Sequence, residues 1–181
     1  MNKICYIVLV LLMTTACKSP EARVPKSVKS GSFIDASIIR NKKLQQYEHA
    51  LIKDIMTQNP EIEYFPSENG FWYYYNTKVE KDTLTPKFGD LVTFDYNVKD
   101  LNGNLIYSKE ELATQEYPMD QKELFKGLRE GLKLMKVGET VTFLFPSQLA
   151  YGYYGDRNRI GTNVPLVCEV TINAIKPVKN H

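Results

Sequence analysis

The spacing of apolar residues predicts a long helix before any strand. From Ser32 to Asn59, apolar residues recur every three or four positions, as on one face of an amphipathic helix. Pro60 ends the pattern, because a proline disfavours the helical conformation of the residue before it. The stripe is about three turns long and leaves two interpretations, packing on the protein's own domain, which we favour, or joining two copies in a weak dimer. The stripe consists of Leu44, Tyr47, Leu51 and Ile55, with Ile52 and Met56 beside them.

From Gly70 onward the period changes to two, which is the period of β-strands. Asn102-Gly103 is the strongest hairpin signal in the chain, and one short helix is predicted from Glu123 to Leu134. Four or five antiparallel strands curling around one short helix predict an α+β roll. The predicted strands are Phe71 to Tyr75, Leu91 to Val98, Leu105 to Ser108, Glu139 to Phe145, and a last strand with Val164, Leu166, Cys168, Val170 and Ile172 on its inner face.

Residues 1–16 have the pattern of a cleaved export signal. Lys3 precedes an apolar run from Ile4 to Met13, about half of the roughly 20 residues that a membrane-spanning helix needs. The small residues before Cys17 resemble a bacterial lipoprotein signal, in which the cysteine becomes the lipidated N-terminus. The alternative is ordinary cleavage with Cys17 incidental. We favour lipidation because residues 17–31 have two prolines and no apolar period, as in a flexible tether.

Composition excludes several classes of function. The chain has 23 basic and 21 acidic residues and a net charge of +2, without a basic patch, so nucleic-acid binding is not predicted. Neither His49 nor His181 has a partner at metal-ligand spacing, so we predict both at the solvated surface and expect no metal or cofactor. Only Cys168 lies in the body of the chain, where it is predicted to be an inert buried thiol outside any disulfide framework.

The segment from Gly127 to Val170 is the most informative part of the sequence. It joins a short amphipathic helix, a turn, a strand, a loop marked by Ala150-Tyr151-Gly152, and a second alternating strand. This order resembles the FKBP-type peptidyl-prolyl isomerases, and the resemblance extends over roughly residues 71–176. It implies a curved antiparallel sheet wrapped around one short helix, within a domain at residues 61–181 that follows a helical segment at 32–60. It also implies proline-containing polypeptide clients and rotation about the X–Pro bond.

The resemblance assigns roles to individual residues. Tyr151 matches the family's hydroxyl donor in the Ala-Tyr-Gly loop, and Tyr96 matches the tyrosine of the first pocket strand. Leu124 and Phe125 match the aliphatic pair that opens the helix and meets the substrate. Ile160 matches the aliphatic residue on the loop that closes the pocket.

Three positions that would complete the substrate site depart from the family's pattern. Ile106-Tyr107 stands where the family usually has Phe-Asp, so the pocket carboxylate is expected to be missing. Leu128 replaces a tryptophan floor, and Cys168 replaces an aromatic residue of the last strand. We therefore expect a wider cup, weaker isomerase activity and broader substrate choice. The alternative is a non-catalytic periplasmic chaperone or assembly subunit on a degenerate scaffold.

A narrower resemblance extends over two stretches, SENGFWYYYNTKVEKDTLTPKFGD and ELFKGLREGLKLMKVGETVTFLFPSQLAYGYYGD. Both are similar to the gliding-motility-associated isomerase lipoproteins of the Bacteroidetes. The likeness implies a protein anchored through Cys17, facing the periplasm from the outer membrane, and assisting proteins of the gliding machinery.

Overall fold

A computed structural model describes residues 30–81 and 84–178 of the chain. The predicted export signal, Cys17 and the tether up to residue 29 lie outside the described residues. The chain divides into two compact units, residues 1–38 and residues 39–181. Of the first unit, the described residues 30–38 are helical. Within the described ranges, no helix combines the length and the apolar character that crossing a membrane requires.

The predicted N-terminal helix is present as α1, Ser30–Gln58. Its end just before Asn59-Pro60 agrees with the prediction. The predicted stripe is displaced, because Glu48 and Ile52 are buried while Tyr47 is 62% exposed. From residue 39 onward the helix belongs to the same compact unit as the sheet, which agrees with packing on its own domain.

The sheet is larger than the four or five strands predicted, with eight antiparallel strands among the described residues. The order along the main path is β1-β2-β7-β8-β3-β6, and β4 pairs with both β5 and β8. The predicted strand at 91–98 is interrupted at Asn97, whose N–H bonds to Glu169 O at 3.1 Å. The strands are β1 Phe65–Pro66, β2 Trp72–Thr77, β3 Leu91–Tyr96, β4 Val98–Asp100, β5 Leu105–Tyr107, β6 Gln115–Pro118, β7 Thr140–Phe145 and β8 Leu166–Lys176.

The hairpin predicted at Asn102-Gly103 joins β4 to β5. Gly103 has a φ of +83°, which glycine adopts without strain. The Asp100 carboxylate closes the turn by accepting bonds from the N–H groups of Asn102 at 2.8 Å and Asn104 at 2.9 Å. The last strand begins at Leu166, so Val164 lies before it rather than on its inner face.

Two short helices lie beside the sheet, where the sequence predicted one. The first, α2, is Lys109–Leu112, and the second, α3, is Lys126–Leu132. The predicted helix is shorter than expected because Phe125 is extended, with φ −62° and ψ 145°, and caps α3. Both glycines of α3 face phenylalanines of β7, so the helix backbone lies directly against the sheet.

The core lies between α3 and the concave face of the sheet. Alternation in β3, β7 and β8 supplies most of its side chains, as the sequence predicted. Its fully buried members are Phe71, Val92, Phe94, Leu128, Leu132, Met119, Met135, Phe143, Phe145, Leu166, Cys168, Val170 and Ile172.

Candidate active site

The structure brings the nine predicted pocket residues into one apolar cluster. β3 ends with Tyr96, and β5 contributes Ile106 and Tyr107, while the loop after β7 carries Tyr151 and Ile160. The start of α3 and the middle of β8 complete the set. The members that are buried or packed against the core are Tyr96, Ile106, Tyr107, Leu124, Phe125, Leu128, Tyr151, Ile160 and Cys168.

The floor of this cluster is closed rather than wide. Leu128 and Cys168 have no exposed surface, so no space for a water molecule lies beside them. Phe125 lies among aromatic rings, 5.5 Å from that of Phe145 and 5.2 Å from that of Tyr151. The wider cup stays a prediction, because a buried floor does not set the distance between the walls above it.

Two tyrosine hydroxyls in the cluster are available to a ligand. Among the described residues, Arg129 Nε is the one buried side-chain polar atom without a hydrogen-bond partner. Within the described ranges, neither the Tyr96 nor the Tyr151 hydroxyl is engaged in a hydrogen bond. Tyr96 is 7% exposed, and Tyr151 is half-buried. A carbonyl that reaches either hydroxyl can accept a hydrogen bond from it.

Electrostatics keeps both hydroxyls protonated. Burial, followed by the neighbouring Cys168, Asp156 and Tyr107, raises the pKa of Tyr151 to about 12. Burial and the nearby Tyr151 raise the pKa of Tyr96 further still. Both groups therefore remain hydrogen-bond donors throughout the physiological range.

The carboxylate expected to be missing is supplied by another residue. Asp156 accepts a short hydrogen bond from the hydroxyl of Tyr107, which stands where the family usually has its own acid. Asn158 Nδ2 donates to the same hydroxyl oxygen at 3.0 Å. Burial opposes ionisation of Asp156, but hydrogen bonds from Tyr107 and from two backbone N–H groups outweigh it and lower its pKa. The family's acid position thus carries Tyr107, as the sequence predicted, and a carboxylate that the sequence analysis did not foresee lies directly behind its hydroxyl.

Asp156 also holds the loop that carries Ile160. Its Oδ1 accepts bonds from the N–H groups of Asn158 and Ile160, each at 2.8 Å. Ile160 is consequently fixed in the cluster, where it is 3% exposed. An aspartate two residues before an asparagine in a glycine-marked loop is a local turn signal from which Asp156 could have been found.

Arg159 covers the outer side of the corner formed by Tyr107 and Asp156. Its guanidinium lies 4.9 Å from the centre of the Tyr107 ring and donates to Ile106 O at 2.8 Å. It also pairs with Glu111 at 2.8 Å. These contacts join the loop after β7 to β5 and α2, so Tyr107 forms part of a fixed wall.

Replacing Asp156 with alanine is expected to loosen this corner. The Tyr107 hydroxyl and two N–H groups lose their acceptor, and we expect a cost of about 1 kcal/mol in stability and a several-fold rise in KM for a proline peptide. Asp156→Asn keeps an oxygen for the two N–H groups and should lie between alanine and wild type. Steady-state kinetics measures KM, and urea unfolding measures stability. Wild-type values of both for the alanine variant would show that Asp156 does not support the site.

The raised pKa values of two tyrosines predict that the protein loses stability under alkaline conditions. An unfolded tyrosine titrates near pH 10, whereas the pKa of both Tyr151 and Tyr75 is raised to about 12 in the fold. Their contribution to stability is complete below about pH 10 and is lost as the pH rises through about 12. The free energy of unfolding should fall over this range and fall less steeply in Tyr151→Phe. Equal slopes for the two proteins would contradict the assignment.

An open groove of about 910 Å³ lies beside the Phe125–Tyr151 contact. Leu124, Phe125, Ala150 and Tyr151 form its inner side. Tyr154, at its rim, is 81% exposed. Because Tyr151 is one of its lining residues, a chain bound in this groove would contact Tyr151.

The remaining candidate groups lie outside this chemistry. Cys168 is fully buried, and burial raises the pKa of its thiol, which keeps it a neutral thiol. The described residues contain no group of three or more side chains that could hold a metal ion. His49 is half-buried, with its ring 4.9 Å from that of Trp72 in an edge-on contact, so the prediction of a solvated His49 is wrong. His181 lies outside the described residues.

The fold is an α+β domain in which a curved antiparallel sheet covers a short helix. Its candidate site is a small apolar cluster that carries tyrosine hydroxyl donors. The family model described as FKBP-type peptidyl-prolyl cis-trans isomerase matches residues 82–173. The chain belongs to this family.

Individual relatives agree with that family. The chain is 33% identical over 107 residues to the probable FKBP-type peptidyl-prolyl cis-trans isomerase FkpA of Neisseria meningitidis serogroup B, covering 59% of this chain and 39% of that protein. It spans less than half the length of the curated relatives that it matches.

Two solved structures share the fold. The peptidyl-prolyl cis-trans isomerase of Pseudomonas syringae pv. tomato is 18% identical, with a TM-score of 0.61, and covers 75% of this chain and 96% of that one. FkpA of Escherichia coli is 21% identical, with a TM-score of 0.60, and covers 98% of this chain and 83% of that one.

Proposed function

We propose that this protein is a peptidyl-prolyl cis–trans isomerase that assists the folding of exported polypeptides. Rotation about a peptide bond has a barrier of about 18–20 kcal/mol, because it removes amide resonance. An uncatalysed X–Pro bond takes roughly 10–100 s to isomerise, which makes it a slow step in folding. A protein that lowers this barrier needs neither a metal nor a nucleophile.

One observation carries the proposal, the placement of two protonated hydroxyl donors, Tyr96 and Tyr151, in one apolar cluster. Water bonded to the substrate carbonyl stabilises the planar, polar amide, so an apolar surrounding that excludes water favours the twisted form. A fixed hydroxyl can then bond the carbonyl in its turned position. Binding the twisted geometry better than the planar one is what lowers the barrier.

The surrounding residues have supporting roles in this proposal. Phe125 and Ile160 contact the proline ring, and the backbone at Phe125 is extended and can pair with the client chain. Ile106 and the Tyr107 ring form the side wall, which Asp156 and Arg159 hold in place. Leu128 and Cys168 support this surface from below.

The direct test is an isomerisation assay with two substrates. One is a proline-containing tetrapeptide, and the other is a protein whose refolding rate is limited by proline isomerisation. The protein from Lys18 onward should accelerate both reactions above the uncatalysed rate. A folded protein that accelerates neither would refute catalysis. Circular dichroism supplies the proof of folding in the same sample.

The second candidate function is a non-catalytic chaperone that holds extended chains. The departures from the family's pattern at Tyr107, Leu128 and Cys168 favour it, because they change the walls and floor that would hold a proline ring. The open groove beside Tyr151 would then be the main contact with the client. This protein would suppress aggregation of an unfolded client without changing the rate of proline isomerisation.

The proposed location is the periplasmic face of the outer membrane, through acyl chains on Cys17. The support is the order of Lys3, an apolar run and small residues before this cysteine. Two or more acyl chains give stable anchoring where one is marginal. Mass spectrometry of the mature N-terminus tests the modification, and Cys17→Ala should move the protein into the soluble fraction.

Proteins of the gliding machinery are the proposed clients. This part of the proposal rests on the likeness of residues 67–90 and 123–156 to the gliding-associated isomerase lipoproteins. Deleting the gene should slow gliding, and a Tyr151→Phe copy should fail to restore it. Full gliding without the gene would leave only the general role in folding.

A further inference from the structure

A buried carboxylate outside the site reaches the loop that carries Tyr151. Glu48, on α1, is 1% exposed, and Ser147 is fully buried. Glu48 Oε2 accepts a bond from the Ser147 N–H at 2.8 Å, and Oε1 accepts one from the Ser147 hydroxyl at 2.6 Å. Both oxygens of the carboxylate therefore bind a single residue that lies 99 positions further along the chain.

Ser147 begins the segment that ends at Tyr151. A single 3₁₀ turn, Ser147–Leu149, follows β7 after one residue, Pro146. The Ala150 N–H donates to Ser147 O at 3.0 Å, which fixes the residue next to Tyr151. Only three residues separate Ser147 from Tyr151, so a movement of Ser147 is expected to displace the Tyr151 ring.

We infer that Glu48 is a positioning residue for Tyr151, so that helix α1 sets the geometry of the catalytic loop; the inference rests on the proposed isomerase function. Removing the carboxylate leaves the Ser147 N–H and hydroxyl without a partner where water does not reach. Buried donors left unpaired are unfavourable, so the turn shifts to find another partner. A small shift of an acting group lowers the rate more than it lowers binding.

The chain provides a matched control at the opposite end of β7. Glu139, which directly precedes β7, is also 1% exposed. Its carboxylate accepts bonds from the N–H groups of Lys136 at 2.8 Å and Val79 at 3.1 Å. Removing the Glu139 carboxylate breaks hydrogen bonds from backbone N–H groups, as removing the Glu48 carboxylate does, but these bonds do not involve the Ser147–Tyr151 segment. Glu139→Ala thus separates a general loss of stability from a loss of position.

Trp72 reports whether α1 stays in place. It is the single tryptophan of the chain. Its ring meets that of His49, the neighbour of Glu48, at 4.9 Å and an angle of 86°. A detached helix would remove this contact and change the tryptophan emission. A docked helix with a displaced loop would leave the emission as in wild type.

The experiment compares Glu48→Ala, Glu48→Gln and Glu139→Ala with wild type. Proline-peptide kinetics, amide hydrogen exchange of residues 147–151 and Trp72 emission are measured on each. In Glu48→Ala we expect kcat to fall by about tenfold, with KM little changed, faster exchange at 147–151 and unchanged emission. Glu48→Gln should recover most of kcat, because its amide oxygen accepts from the Ser147 N–H and its NH₂ donates to the hydroxyl. Glu139→Ala should keep wild-type kcat and exchange at this loop.

Wild-type kcat and exchange in Glu48→Ala would overturn the inference, as would an equal loss of kcat in Glu139→Ala or a detached helix seen in the emission. If Glu48→Ala does not fold, Ser147→Ala replaces it, since this variant removes only the hydroxyl bond. It should then show a smaller loss of kcat with faster exchange, and wild-type values would count against the inference. Should wild type itself lack isomerase activity, the proposed function fails, and exchange at 147–151 alone decides whether Glu48 holds the loop.

Discussion

Gly127→Ala is expected to destabilise the protein by about 3 kcal/mol, the upper end of the usual cost of overpacking a core. A Cβ atom at Gly127 would lie 2.5 Å from Phe145 Cδ1 and 2.8 Å from Leu149 O. Neither neighbour can retreat easily, because Phe145 is fully buried in the sheet and Leu149 belongs to the turn before Tyr151. Urea unfolding measures the loss, and isomerase activity should fall with it as the turn is displaced.

The matched control is the same substitution in open space. A Cβ atom at Gly161 would have its nearest contact with Val164 Cγ2 at 3.9 Å, an ordinary van der Waals distance. Gly161 also lacks the positive φ that would strain an alanine. The free energy of unfolding of Gly161→Ala should therefore lie within about 0.5 kcal/mol of the wild-type value. If the two variants prove equally stable, α3 does not lie as close to β7 as the structure has it.

Tyr151→Phe is expected to lower kcat/KM by about tenfold, because one hydrogen bond to the turned carbonyl contributes about 1–1.5 kcal/mol. Within the described part of the chain this hydroxyl is not engaged in a hydrogen bond, so its removal should leave stability nearly unchanged at neutral pH. The phenylalanine ring keeps the contact with Phe125, whose ring centre is 5.2 Å away. A loss of rate in a protein of wild-type stability is the expected signature of a donor that acts on the substrate.

Tyr153→Phe provides the control for this substitution. Tyr153 is 71% exposed, two residues beyond Tyr151, and its hydroxyl should be dispensable. Aggregation of an unfolded client, measured alongside the kinetics, distinguishes the two candidate functions. A catalyst loses rate in Tyr151→Phe, whereas a chaperone keeps both its holding activity and its background isomerisation rate. Wild-type kcat/KM in Tyr151→Phe would exclude the hydroxyl from catalysis.

Alternation of apolar residues was sufficient to predict the strands that carry the core. In β3 and β8 every second residue is buried, because each strand covers α3 with one face only. The long helix was predicted from its three- and four-residue spacing and from Pro60. Its buried face was misjudged because Glu48 is buried and Tyr47 is exposed, which is the reverse of their usual preferences.

The pocket residues were found through the family's motifs, since apolar side chains in a core and in a pocket floor follow the same pattern. The residues that were missed are acids with partners far along the chain. Asp156 bonds to Tyr107, 49 positions away, and Glu48 bonds to Ser147, 99 positions away. Such pairs depend on how the chain folds back on itself, which no local spacing encodes. Asp156 alone had a usable local signal, its turn with Asn158.

The position of β8 has a consequence for synthesis. This strand lies between β7 and β3 and also pairs with β4, so Asp95 of β3 finds its neighbour only at Thr171. Before β8 is made, the sheet lacks its central member, and β3 and β7 expose open edges that invite pairing with other chains. A protein that we propose to assist slow folders thus needs its last described strand before its own sheet can close.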